Sequence, residues 1–143
     1  MQGLPHDYTA TATATATAHV TAQCPGQPAL QVAPPTAFGG PGDISSPEDL
    51  QVAAIASCFI LSFKAIAAAS KLEWSSISVD AGGTLDQQDR AIQFTGFSLN
   101  VNLTLADASA ADKAERLLGK AKQTCFITNS LRADTEMSAT VSG

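Results

Sequence analysis

The chain carries three cysteines, Cys24, Cys58 and Cys125, and the last two stand among apolar residues. A thiol in such surroundings is either packing material, since free cysteine is among the most buried residue types, or a protected reactive group. A free thiol has a pKa of ~8.5 and is only a few per cent ionised at neutral pH, so a reactive one needs a nearby cation or hydrogen-bond donors. Packing alone accounts for Cys58. Cys125 strengthens the chemical reading, because two thiols on two buried helices can meet and exchange between dithiol and disulfide. An odd number of cysteines without an export signal argues against a structural disulfide framework. Cys24, followed by Pro25-Gly26 in an expected turn, reads as an incidental exposed thiol.

Cys58 lies near the middle of SPEDLQVAAIASCFILSFKAIAAAS, residues 46–70, which reads as one helix. Ser46 suits the cap, Pro47 the first helical position, and Glu48 and Asp49 the positive helix end. This helix is apolar around its full circumference, which a sheet on one side cannot satisfy. A second copy of the chain is an economical cover, and the Ala-rich stretches permit close approach, so a homodimer is expected. The apolar run from Val52 to Phe63 is shorter than the ~20 residues that span a bilayer, which favours a core helix over a membrane segment. Cys125 ends the stripe of a second helix, marked by Ala110, Ala114, Leu117, Leu118 and Ala121.

Around these helices the pattern has period two. Residues 8–22, YTATATATATAHVTA, predict one long strand with a hydroxyl face, and residues 29–33 a short return strand. Residues 33–47, rich in proline and glycine, predict a long loop of the kind that carries function. Residues 74–81 predict a short strand. Phe97, Leu99, Val101, Leu103 and Leu105 alternate with polar residues, while Ile92 and Phe94 have the opposite parity, which predicts a β-bulge at Gly96. Residues 136–141 close the chain as a strand. The order β-β-α-β-β-α-β over 143 residues predicts a single α+β domain with an antiparallel sheet.

Eight basic against thirteen acidic residues give a net charge of −5, and the first Lys or Arg is Lys64. Nucleic acid and anionic membranes are therefore poor partners. The N-terminus lacks a basic region followed by an apolar run, so a cytoplasmic location is expected. No metal or cofactor is expected.

The segments FGGPGDISSPEDLQVAAIASCF, residues 38–59, and AKQTCFITNSLRAD, residues 121–134, resemble the OsmC/Ohr family of thiol-dependent hydroperoxide reductases. The resemblance rests on the Gly-rich loop, the Pro-Glu helix start, the Ser-Cys-Phe centre and the second cysteine segment, in the family's order and spacing. It implies the OsmC-like fold, with antiparallel sheets around a buried central helix in an intertwined homodimer. It also implies a peroxidase: Cys58 attacks the peroxide bond of an organic hydroperoxide and becomes a sulfenic acid, Cys125 resolves it as a disulfide, and a dithiol such as a lipoylated protein restores both. Glu48 is the site carboxylate that the resemblance implies, and Phe38, Phe59 and Phe63 are candidates to line an apolar substrate pocket.

One departure bears on the chemistry. In the peroxidases of this family an arginine from the N-terminal region pairs with the helix-start glutamate and polarises the thiol, whereas here no Arg or Lys precedes Lys64. His19 and Arg132 are the candidates to replace it. The second segment reads Cys125-Phe126 where many members have Cys-Pro. The alternative function is accordingly a relative without peroxidase chemistry that binds a small apolar or thiol-bearing ligand. Glu48 and Cys58 are ten residues apart on one helix, about 15 Å along the axis at 1.5 Å per residue. If both serve one site, they must come from different subunits.

Overall fold

A computed structural model describes residues 3–143. The chain divides into two compact units, residues 1–50 and 51–143. The first contains a three-stranded antiparallel sheet of β1 (Thr11–Thr13), β2 (Val20–Gln23) and β3 (Leu30–Val32) in the order β1-β2-β3. The Thr-Ala segment is therefore not one strand. It folds back on itself, pairing Thr11 with Gln23 and Thr13 with Thr21. Alternation of two small residues supports a pleat but offers no large side chain to hold a long strand against a core, and β1 is exposed throughout.

The Pro/Gly-rich loop follows, with a short 3-10 turn over Thr36–Phe38 closed by Gly39 at φ 88°. Gly40 is required for steric reasons: a Cβ there would lie 1.5 Å from the Pro34 carbonyl oxygen. The Ala33 N–H donates to the Ser45 carbonyl at 3.1 Å and ties the two ends of the loop together.

Helix α1 spans Pro47–Ala69, as its start signals predict. Fully buried Ser46 caps it, with Oγ accepting from the Asp49 N–H at 3.0 Å while the Asp49 carboxylate accepts from the Ser46 N–H at 3.0 Å. This reciprocal pair satisfies donors that the first turn leaves orphaned, and the Ser46 N–H and hydroxyl hold the Asp49 carboxyl below its ordinary pKa. At the far end, Lys71 takes φ 55° and the Leu72 N–H reaches back to the Ala67 carbonyl at 2.9 Å, closing a Schellman motif over buried Leu72.

Within residues 51–143 a three-stranded sheet is formed by β4 (Trp74–Gln88), β5 (Ala91–Leu105) and β6 (Thr135–Ser142) in the order β4-β5-β6. The β4 strand, 15 residues long, runs well past the expected end at residue 81, because pairing with β5 carries it through Gly82-Gly83. Those glycines make room for side chains of β5: a Cβ on Gly83 would lie 2.9 Å from the Phe94 ring and 3.0 Å from the Phe97 ring. Asp89 and Arg90, at φ 51° and 66°, form the two-residue turn between the strands. The bulge is present one residue before the expected place. Thr84 pairs with Gly96 and Leu85 with Phe94, leaving Thr95 as the extra residue.

The pairing of β5 with β6 is parallel, where an antiparallel sheet was expected. The cause is the connection: α2 (Ala111–Gln123) and a short α3 (Phe126–Asn129) carry the chain back, so β6 starts opposite Phe97 and runs alongside β5. One core joins Ile55, Phe59, Phe63 and Ala67 of α1 with Phe97 to Leu105 of β5 and with Ala114, Leu117, Leu118 and Ala121 of α2. Although α1 is long and apolar enough to cross a bilayer, its i, i+4 stripe is seated in this core. The remaining apolar circumference is not covered within the chain, with Leu61 64% exposed.

Candidate functional site

Two constellations hold the candidate residues, one in each unit. In the second unit are the thiols. Cys58 stands on α1 one residue before buried Phe59 and is half-buried. Cys125 is fully buried, but it does not end the second helix as its stripe predicted. Helix α2 stops at Gln123, and Cys125 takes an extended conformation, φ −69° and ψ 113°, as the N-cap of α3. Thr124 makes the break, its hydroxyl turning back to the Lys120 carbonyl at 3.0 Å.

This placement surrounds the Cys125 sulfur with donors. Burial pushes the thiol up, but the Thr128 hydroxyl and N–H, the Cys58 thiol and the Ile127 N–H outweigh it, and the net displacement is below the ordinary thiol value. The sulfur closes no full capping hydrogen bond, so these groups act as nearby donors. The single proton of the Thr128 hydroxyl also has the Cys125 carbonyl as an acceptor, 3.2 Å away, so it serves the sulfur only when turned from that oxygen. No charged group is among the causes. Arg132 is exposed in the loop before β6 and plays no part in that environment. The chemistry available to the pair is thiol–disulfide redox.

Thr128 was missed by reading the sequence for cations. Its signal was present as Cys-x-x-Thr opening a short helix, a capping-box spacing that turns donors toward the cysteine. Replacing donors tests the arrangement. Cys58→Ala and Thr128→Val are each expected to raise the Cys125 titration toward the ordinary thiol range, with Cys58→Ser raising it less because serine still donates. Thiolate ultraviolet absorbance in a Cys24→Ser background measures this, and an unmoved titration in all three variants removes the donors as its cause.

The first unit holds Glu48, His19 and Phe38. Glu48 lines an apolar cleft of about 380 Å³ together with Val20, Val32, Pro34, Pro35 and Phe38. Its Oε2 is buried and has no hydrogen-bond partner. His19 is exposed in the connection between β1 and β2 rather than within a strand, and it does not bond this oxygen. Phe38 is 59% exposed, whereas Phe59 and Phe63 are wholly inside the core. Of the three candidate pocket aromatics, only Phe38 therefore lines an open cleft. Helical spacing puts Phe59 and Phe63 on the stripe with Ile55 and Ala67, where the sheet and α2 enclose them. Cys24 is exposed in its turn, with the Gln27 N–H donating to its carbonyl at 3.2 Å.

The model of the OsmC-like protein family matches residues 40–140. The chain belongs to the OsmC-like family. An organic hydroperoxide resistance protein of Xanthomonas axonopodis pv. citri is 34% identical over 115 residues, covering 78% of this chain and 77% of the relative. Among solved structures, an OsmC-like protein of unknown function from Vibrio cholerae superposes with a TM-score of 0.87 at 20% identity, covering 95% of this chain and 100% of the other. An organic hydroperoxide resistance protein OsmC from Legionella pneumophila superposes with a TM-score of 0.76 at 25% identity, covering 99% and 100%. The second cysteine segment and the first from residue 40 onward lie inside the matched region, as do Glu48 and both Cys58 and Cys125.

Proposed function

We propose that this OsmC-like protein is a thiol peroxidase that reduces organic hydroperoxides in the cytoplasm. The observation that carries the reading is the meeting of Cys58 with Cys125, one thiol half-exposed and the other buried among donors. Access assigns the attack to Cys58. Its thiolate displaces the alkoxide of the hydroperoxide at the outer oxygen, which breaks the O–O bond and, with one proton, yields Cys58 sulfenic acid and the alcohol. The Cys125 thiolate then attacks the sulfenic sulfur, forming the disulfide and releasing hydroxide, which becomes water on protonation. An external dithiol, such as a lipoyl group, reduces the disulfide by two exchanges and leaves as its own disulfide.

One equivalent of cumene hydroperoxide added to the reduced protein is expected to give one equivalent of alcohol and a Cys58–Cys125 disulfide, seen by peptide mass spectrometry. Overoxidised Cys58 alone, or a bridge to Cys24, removes Cys125 from the resolving role. The second reading, a ligand-binding relative without peroxidase activity, is favoured by the unpartnered Glu48 oxygen, and no alcohol at all in this experiment supports it.

The working unit proposed is a homodimer. The uncovered apolar side of α1 supports it, as does the roughly 15 Å axial rise between Glu48 and Cys58. In a dimer of one Glu48→Ala chain and one Cys58→Ser chain, the site combining intact residues from both chains is expected to retain about half the wild-type activity. Activity near zero places the pair on one chain.

A further inference from the structure

A groove of about 810 Å³ opens where α2, α3 and the start of β6 meet, wholly within residues 51–143. Neither Cys58 nor Cys125 lines it, and Thr128 is the one residue it shares with the surroundings of the Cys125 sulfur. Four charged side chains do line it: Lys122 and Arg132, Asp134 and Glu136. Among the described residues none of the four is in an ion pair. Asp134 and Glu136 stand two apart on extended backbone and so on one side of it. The Phe97 N–H donates to the Asp134 carbonyl at 2.9 Å, which fixes this end of the groove to the sheet.

The wall on α2 carries a glycine that packing does not explain. Gly119 lies inside the helix, where glycine is less favourable than alanine, yet a Cβ there would meet no neighbouring atom within 4 Å. It lines the groove, and Lys122, three residues further, shares its face of the helix. A residue without a side chain at this point lets an occupant come up against the helix backbone. The groove is also braced, because Asn129 Nδ2 donates to the Gln123 carbonyl at 3.1 Å and ties α3 to the end of α2.

We propose that this groove binds short zwitterionic peptides, with the free ammonium group at Asp134 and Glu136, the free carboxylate at Arg132 and Lys122, and the peptide laid past Gly119. The lining is neutral as a whole, two cations against two anions, in a protein of net charge −5. That balance suits a ligand that is neutral overall but carries both charges, since a simple anion would meet the acids and a simple cation the bases. Thr128, Asn129 and Thr135 offer hydroxyl and amide groups to the peptide bonds between the two termini. The volume is in the upper part of the ligand-pocket range and has room for a tripeptide. The proposal does not rest on the peroxidase reading.

The experiment titrates the reduced full-length protein with trialanine, N-acetyl-trialanine, trialanine amide and the doubly blocked peptide, by calorimetry and by backbone amide NMR shifts. Trialanine is expected to bind most tightly and each singly blocked form about tenfold less tightly, the loss of one charge-assisted contact. The doubly blocked peptide is expected to show no saturable binding. Arg132→Gln combined with Lys122→Gln is expected to bring trialanine to the level of its amide. Asp134→Asn combined with Glu136→Gln is expected to bring it to the level of the acetylated form. Gly119→Ala is expected to weaken trialanine binding while raising the melting temperature by roughly 4 °C, so that lost binding is not lost folding. Equal binding of the four peptides, no saturable binding of trialanine, or an affinity that Gly119→Ala leaves unchanged overturns the proposal.

Discussion

Cys58→Ser is expected to lower hydroperoxide turnover by on the order of 10³-fold or more, because serine cannot supply the sulfur nucleophile at neutral pH. Cys125→Ser is expected to behave differently, consuming one equivalent of hydroperoxide and then stalling as a sulfenic acid that a dimedone probe captures at Cys58. The contrast matters because the two thiols divide the usual attributes of a reactive cysteine. Cys58 has the access, whereas Cys125 has the donors that hold its pKa down. If access governs, single-turnover alcohol appears only with Cys58 intact. If thiolate character governs, it appears with Cys125 alone, and the assigned roles are exchanged. Rapid-quench measurement of alcohol from each single variant decides between them.

Phe63→Ala is expected to destabilise the fold by about 3–5 kcal/mol, lowering the melting temperature by roughly 10 °C. The ring is fully buried and meets Trp74 edge-on, with centroids 5.6 Å apart at 64°. Its removal leaves a cavity between α1 and the sheet that neighbouring β5 side chains, already packed, fill only in part. Leu61→Ala on the same helix is the informative control. Its side chain is largely exposed within one chain, so a loss well under 1 kcal/mol is expected at protein concentrations too low for dimers. A penalty that grows with concentration locates Leu61 in an interface.

Features set by neighbours in the chain were legible beforehand. The Ser46 cap, the alternation of β5 and the stripe of α2 from Ala114 to Ala121 each depend on a few adjacent residues, and each stands where its pattern placed it. The phase slip at Thr95 was visible for the same reason, as a change of parity between Phe94 and Phe97. What escaped depends on distant partners. The extension of β4 through Gly82-Gly83 required knowing that Phe94 and Phe97 would lie across from them. The parallel course of β6 follows from where the α2–α3 connection ends, which no local period encodes. At the site, two cysteine segments were recognisable by resemblance. Their environments were not, since one threonine after α2 moved Cys125 from a helix face to a helix cap, and helical spacing could not tell a pocket phenylalanine from a core one.

The Thr-Ala segment that folds into β1 and β2 has one further property. Every residue in its repeat has the same neighbours two positions away, so sliding the pairing by two residues returns the same side chains to the same faces. The same holds for length: adding or deleting one Thr-Ala pair changes the span of the connection at residues 14–19 but turns no side chain over. This edge of the molecule is therefore neutral toward slippage in steps of a dipeptide, an indel tolerance with a period of two, while a single-residue insertion would invert every face beyond it. Natural length variants of this protein are accordingly expected to differ here by even numbers of residues.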